Sequence, residues 1–181
     1  MPTFPLPFRP KYDYHTGGRK FGAARDGGSR KHAGCDLIAP KGTEIYAVED
    51  GEVVRGPYPF YHGTDAIEFK LTASGRIVRY CEISGAAKGV HVGSKVKEGD
   101  LIAYVGKMYK SSMLHLEMNE GTATGNLTNR SNKGFQRRKD LIDPTQYLDD
   151  AMLWNEVAAL LAIEAVRAAV QGLAVPLRWI R

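Results

Sequence analysis

Apolar and polar residues alternate along several short stretches between residues 35 and 118. The alternation is clearest in "DAIEFKL" (65–71), "GRIVRYCEI" (75–83) and "MLHLEM" (113–118), and glycine-containing turns separate the stretches. A period of two residues is typical of β-strands that have one buried face. The pattern therefore predicts a mainly β fold, an antiparallel β-sheet or sandwich built from short strands.

The two ends of the chain differ from this central part. Residues 1–31 are rich in Pro, Gly, Tyr and Arg, which predicts extended chain and loop, with an N-terminal arm over residues 1–20. The Ala- and Leu-rich stretch 149–175 lacks internal proline and predicts a C-terminal helix that ends near Gly172. Charged residues interrupt this helix, so we expect no membrane span. Its wide apolar side either packs on the β domain, expected over 21–148, or binds a protein partner through the tail 149–181.

Composition adds few constraints. The chain has 181 residues, a formal net charge of +5 and a pI of about 9.2. This mild basic excess suits an anionic polymer such as cell wall or nucleic acid. No nucleic-acid-binding motif is recognised, so no nucleic-acid partner is expected, and the basic run 137–139 is interpreted as solvated surface. The N-terminus lacks a charged region followed by an apolar one, so no secretory signal is predicted.

A set of candidate metal ligands stands out. His32 and Asp36 are separated by three residues in "RKHAGCDL", and His115 lies far downstream. Two ligands from one short segment and one distant histidine are typical of a catalytic Zn²⁺ site, in which a fourth position remains for water. The alternative is that His32 and Asp36 only form a surface hydrogen bond.

The surrounding motifs resemble those of the M23 family of zinc metallopeptidases, the LytM and lysostaphin type. They are "HAGCDLIAPKGTEIYAVEDGEVV" (32–54), "VHVGSKVKEGDLIAYVG" (90–106) and "MLHLEM", in the family's order and spacing, and the resemblance covers roughly 21–148. It implies an antiparallel LytM-type β fold with a groove across a sheet. It implies Zn²⁺ held by His32, Asp36 and His115, and cleavage of peptidoglycan peptides.

The sequence departs from the family at two catalytic positions. The first histidine of the family's H-x-H motif falls on Met113, and a second family histidine falls on Glu82. One hypothesis is an altered enzyme in which Glu82 is the catalytic general base, as a carboxylate beside an activated water can be. The other hypothesis is a catalytically impaired module that binds cell wall or activates another hydrolase.

Further side chains are predicted around the groove. Glu117 either orients a histidine ligand or forms a cross-strand ion pair, and Asp65 either touches substrate or is a turn residue that bonds its own backbone. The candidates for a group that donates a hydrogen bond to the oxyanion of the reaction are His62, Tyr61, Arg25 and Tyr80. The predicted substrate-binding residues are His62, Asp65, Tyr80 and His15.

Two expectations follow from the same resemblance. Neighbouring residues in a strand face opposite ways, so Cys35, beside Asp36, and Cys81, beside Glu82, should face the core as buried, reduced thiols. A wall-cleaving enzyme without a secretory signal is expected to be made in the cytoplasm. It would then reach the periplasmic or extracellular wall through a secretion machine or after lysis.

Overall fold

The structure, a computed structural model, describes residues 1–121 and 128–170, and the side chains of 168–170 are not described. Eleven strands, two α-helices and two 3₁₀ turns, Gly17–Arg19 and Asp26–Gly28, make up this part of the chain. The helices are α1 (Thr145–Asp150) and α2 (Trp154–Val170). The strands are β1 (Ala24–Arg25), β2 (Arg30–Lys31), β3 (Cys35–Ile38), β4 (Glu44–Tyr46), β5 (Gly51–Pro59), β6 (Asp65–Leu71), β7 (Ile77–Ala86), β8 (Lys95–Val96), β9 (Leu101–Val105), β10 (Met113–Asn119) and β11 (Leu141–Ile142).

The strands form one large antiparallel sheet and a small hairpin. β1 and β2 pair with each other, and the large sheet runs in the order β11–β10–β7–β6–β5–β8. β3 pairs with β10, and β9 pairs with both β7 and β4. This mainly β, antiparallel architecture confirms the predicted fold class, and the three clearest alternating stretches correspond to β6, β7 and β10.

The two faces of the sheet around β10 differ in chemistry. Leu114, Leu116 and Met118 are fully buried in the hydrophobic core, on one face of the strand. His115 and Glu117 alternate with them and point to the other face. The alternation that reveals the strand in the sequence therefore also separates the core from a layer of polar side chains.

The N-terminal arm packs into the same core. Phe4 and Leu6 are fully buried there, and Thr3 forms a parallel bridge with Met152. The amide of Phe4 donates to the Met152 carbonyl, and the Met152 amide donates to the Pro2 carbonyl. The arm is thus fixed against the segment between the two helices.

This docking explains why the C-terminal helix is not continuous. The sequence predicts one helix from residue 149, but α1 ends at Asp150 and Ala151 adopts extended backbone angles. The backbone bonds of Met152 to the arm replace helical bonds there, so tertiary contacts override helix propensity. The predicted end near Gly172 lies outside the described residues.

α2 shows a largely exposed surface. Its apolar residues Leu160, Ile163 and Val166 are exposed, so this side does not pack on the β domain. A protein partner for the helix stays a prediction. Within the described residues, neither helix has both the length and the apolar character needed to cross a membrane.

Candidate metal centre and active site

Three side chains predicted as metal ligands converge at one point. His115 lies directly opposite Asp36 in the antiparallel pairing of β10 with β3, and His32 lies just before β3. His32 Nε2 is 3.0 Å from Asp36 Oδ1 and 2.9 Å from His115 Nδ1. His115 Nδ1 is 2.8 Å from the same Asp36 oxygen. The fold thus brings together donor atoms from positions 83 residues apart.

Gly34 makes this convergence sterically feasible. A Cβ atom at this position would lie 2.1 Å from the Leu116 carbonyl oxygen and 3.1 Å from His115 Cε1. The first distance is well below van der Waals contact, so only glycine lets the segment between His32 and Asp36 approach β10 this closely.

The outer nitrogen of each histidine is held by an acceptor. His32 Nδ1 lies 2.8 Å from the Lys20 carbonyl oxygen, and His115 Nε2 lies 2.9 Å from Glu117 Oε1. Because a carbonyl or a carboxylate accepts, these outer nitrogens carry the hydrogens. That leaves the lone pairs of His32 Nε2 and His115 Nδ1, which lie next to Asp36 Oδ1, as ligands for a metal. Such outer partners are typical of histidines that bind a metal, and the donor set of two imidazoles and one carboxylate fits Zn²⁺.

The electrostatics of the three groups reflect their burial and their closeness. Burial alone would raise the pKa of Asp36, but His115 and His32 hold it well below its usual range. Burial lowers the pKa of His32. For His115, the lowering by burial is outweighed by hydrogen bonds to Asp36 and Glu117, which raise its pKa to about 9. Metal binding must therefore displace a proton shared within this cluster.

Glu117 anchors a buried charge network behind His115. It is fully buried, and its carboxylate accepts hydrogen bonds from Arg137 Nε at 2.9 Å and from Arg79 Nη1 at 3.2 Å. Arg79 is its cross-strand neighbour on β7. The two interpretations of Glu117 from the sequence, histidine orientation and cross-strand ion pairing, therefore both hold.

Arg137 corrects one expectation from the sequence. The basic run 137–139 was interpreted as solvated surface, yet Arg137 is buried and bound to Glu117. Sequence reasoning gave no signal for this contact, because a cation in a polar loop is ordinarily solvated. The network extends through Arg79, whose Nε donates to Tyr58 Oη at 2.7 Å, to the buried carboxylate of Glu68, which accepts from Tyr58.

Glu82 reaches the site through a β-bulge in β7. On β6, Asp65 pairs with Ile83 and the next residue, Ala66, pairs with Cys81, so Glu82 is the extra residue. Its φ of 66° lies in the left-handed region, which is uncommon for a residue with a side chain and is found often at functional sites. The Gly106 amide donates to the Glu82 carbonyl at 2.7 Å, and a Cβ at Gly106 would come within 2.6 Å of that oxygen.

The bulge also makes the prediction for Cys81 wrong in part. Cys35 and Cys81 are both buried, free thiols, as expected. However, Cys81 lies opposite His115 in the β7–β10 pairing, and its sulfur lies within 4.8 Å of donor atoms of His115 and Glu117. It therefore faces the site and not the core. The extra residue lets both Cys81 and Glu82 lie on the site side, which simple alternation forbids.

The carboxyl group of Glu82 is poorly solvated. Burial raises its pKa to about 7, and the charges of His115, Asp36 and Arg25 also act on it. Within the described part of the chain, its Oε2 atom is buried without a hydrogen-bond partner. A buried carboxyl oxygen without a partner costs free energy, which makes it a candidate for a functional role.

A loop between β5 and β6 borders the metal site. The Phe60 ring stacks on His115 with centroids 6.3 Å apart, and His62 contacts Tyr61 and Tyr109 edge to face. Asp65 begins β6, and no side-chain hydrogen bond is found for it among the described residues. Substrate binding by His62 and Asp65 stays a prediction.

The other two predicted substrate contacts lie elsewhere. Tyr80 is in the core, 1% exposed, and its hydroxyl accepts from the Val48 amide. Because it points to the face opposite His115, its predicted contact with substrate, and with an oxyanion, is wrong. His15 is half-exposed, with its ring nitrogens 2.5 Å from Asp13 and 2.9 Å from Asp149.

Comparisons with solved structures support the fold described above. The chain is similar to the catalytic domain of the antimicrobial peptidase lysostaphin from Staphylococcus simulans, at 22% identity and a TM-score of 0.55, covering 74% of this chain and 91% of that one. Against the whole of lysostaphin, at 21% identity and a TM-score of 0.57, 76% of this chain and 50% of that protein are covered. LytU gives 27% identity and a TM-score of 0.56, covering 78% of this chain and 92% of that one.

The family assignment rests on the sequence itself. A family model described as "Peptidase family M23" matches residues 30–129, which include all three converging ligand residues and Glu82. The match spans more than half of the 181 residues. The chain belongs to peptidase family M23.

Proposed function

We propose that this M23 peptidase is a zinc-dependent endopeptidase that cleaves the peptides of peptidoglycan. The observation that carries the proposal is the convergence of three ligand atoms within 3.0 Å of one another beside a buried, unpartnered carboxyl oxygen of Glu82. The Zn²⁺ ligands would be His32 Nε2, Asp36 Oδ1 and His115 Nδ1. When bound, Zn²⁺ supplies Lewis acidity, which polarises a carbonyl and lowers the pKa of water.

Glu82 is the proposed general base. Its Oε2 atom has an unused acceptor position, and its raised pKa brings it close to neutral pH, where proton transfer in both directions is efficient. The carboxylate accepts a proton from the attacking water and afterwards returns it to the leaving amine. The bulge orients Glu82, and Glu82 would carry out the proton transfer that histidines perform in the family.

Two further groups assist. Glu117, held by Arg79 and Arg137, fixes the orientation of the His115 ring through Nε2. Arg25 donates from Nη2 to Asp36 Oδ2 at 3.0 Å, and its side chain is 25% exposed. Among the candidates for stabilising an oxyanion, Arg25 is the one seen in contact with a ligand residue, so we assign it this role.

The second candidate function is that of an impaired LytM-like module that binds cell wall or activates another hydrolase. Met113 favours it, since this residue lies two positions before His115 on the same face and cannot exchange protons. The exposed apolar side of α2 would then be the partner surface. Such a module has no need for metal, so the two functions differ in whether purified protein holds Zn²⁺.

The test is digestion of purified sacculi, with and without a chelator, together with metal analysis of the same sample. We expect one Zn²⁺ per chain and chelator-sensitive release of muropeptides. Glu82→Gln should keep the metal and lose roughly 10²- to 10⁴-fold in rate, the usual contribution of a general base. Glu52→Gln, on an exposed position of β5, is the matched control. Full release by the Glu82→Gln protein would refute the role of Glu82, and metal-free protein would favour the module.

A further inference from the structure

A pocket lies where the N-terminal arm passes the start of β10. Its volume is about 750 Å³, and the four arm residues that line it lie outside the segment matched by the family model. The lining residues that matter here are Phe8, Arg9, Lys11 and Tyr12 from the arm, Ile38 from β3, and Lys110.

The arm that forms this pocket is firmly attached. Arg9 Nη1 donates to the Leu148 carbonyl at 2.8 Å, Nη2 donates to the Ala151 carbonyl, and the guanidinium lies 4.2 Å from the centre of the Phe4 ring. The Tyr14 hydroxyl donates to Asp149 Oδ1 at 2.5 Å. The backbone of the arm that forms the pocket wall is therefore attached to the folded body.

The chemistry of the pocket is cationic and aromatic. Arg9, Lys11 and Lys110 line it, and no aspartate or glutamate does. Within the described residues, neither Lys11 nor Lys110 forms an ion pair. Phe8 is 38% exposed and Tyr12 is 55% exposed, so both rings offer apolar surface beside the charges. Such a lining suits a ligand that carries carboxylates on an otherwise compact apolar body.

The pocket continues along the strand that carries a metal ligand. Ile38 lies two residues after Asp36 in β3 and so on the same face, roughly 7 Å further along the strand. An extended peptide advances by a similar distance for two residues. A peptide whose scissile bond lies at the metal site would thus place a side chain about two positions away in the pocket.

We infer that this pocket binds a free carboxylate of the peptide substrate. The chain would therefore prefer peptidoglycan stem peptides whose side carboxylates are free over peptides in which they are amidated. The identity of the peptide rests on the proposed function, whereas recognition of the carboxylate rests on Lys11 and Lys110.

Binding of two labelled probes tests the inference without requiring turnover. The probes are the tetrapeptide L-Ala–γ-D-Glu–meso-diaminopimelate–D-Ala and the same peptide amidated at both side carboxylates. The zinc-loaded chain carrying Glu82→Gln is titrated with each, so that the probe stays intact. We expect the free peptide to bind roughly tenfold tighter or better, the effect of one charge-assisted hydrogen bond.

Variants of the two lysines make the test specific. The double variant Lys11→Gln/Lys110→Gln should lose that preference and leave binding of the amidated peptide unchanged. Lys95→Gln, which removes an exposed charge on β8 at the far edge of the sheet, is the control and should behave like the parent. Equal affinity for the two probes, absence of binding, or a double variant that matches the control would overturn the inference. A wild-type chain that binds the free peptide selectively but releases nothing from sacculi would instead refute only the proposed function.

Discussion

Replacing Glu117 by glutamine removes the one negative charge that lies between two buried guanidinium groups. Glu117 is fully buried, Arg79 is 3% exposed and Arg137 is 9% exposed, so little water can replace the lost interaction. Glutamine has nearly the same shape and can still accept from His115 Nε2. It cannot accept from both arginines and the histidine, and its amide hydrogens would face donors.

The expected loss of stability is large for a conservative substitution. Removing one partner of a buried ion pair costs roughly 3 to 5 kcal/mol, because the opposite charge remains buried. In a protein of this size, that corresponds to a fall in Tm of roughly 6 to 20 °C. His115 would also lose a charged partner, and changes of this kind weaken metal binding by roughly 10- to 100-fold.

The assay is urea unfolding of the metal-free protein, followed by zinc affinity from competition with a chelator. The matched control is Glu120→Gln, which breaks the exposed ion pair with Arg76 just beyond the end of β10. Exposed pairs contribute about 1 kcal/mol or less, so the control should unfold close to wild type. If Glu117→Gln lost no more stability than Glu120→Gln, the assignment of Glu117 as the centre of a buried network would be refuted.

Two other substitutions test separate parts of the structure. Gly34→Ala places a methyl group against the Leu116 carbonyl, so β3 must shift from β10, and we expect weaker zinc binding together with lower stability. The control is Gly134→Ala, where φ is not left-handed and the atom nearest to a Cβ is 3.8 Å away, and it should leave zinc binding intact. Hydrogen bonds to Asp13 and then Asp149 raise the pKa of His15, so its stabilising effect is complete below the unfolded value of about 6.5 and is lost as pH rises through the folded value. Because His15 is half-exposed, His15→Gln should cost about 1 kcal/mol or less at pH 6 and progressively less at higher pH; a difference that grows with pH would contradict this sign.

The strands and the grouping of His32, Asp36 and His115 could be predicted from the sequence because alternation and motif spacing are local regularities. The stretch 65–71 alternates apolar and polar residues and forms β6 with the bounds expected. His32, Asp36 and His115 carry recognisable motif spacing, and the pairing of β3 with β10 brings them together. Alternation alone also distinguishes the core side of β10 from its polar side.

Other features could not be predicted because they arise from non-local contacts. A bulge in β7 depends on how β6 and β7 align, so no local pattern indicates that Cys81 and Glu82 share one side. The burial of Arg137 depends on a partner twenty residues away in the chain, Glu117. The break between α1 and α2 depends on Met152 binding the N-terminal arm, which no helix propensity describes.

The pairing of β3 with β10 has a consequence for when the site can exist. An unfolded or partly synthesised chain holds His32 and Asp36 close together, but the third ligand joins them only when β10 is made and closes a loop of 83 residues. Closing such a loop has an entropic cost that metal binding helps to offset. Occupancy of the proposed zinc site would therefore report completion of the fold, and a chain interrupted before β10 lacks one of the three proposed ligands.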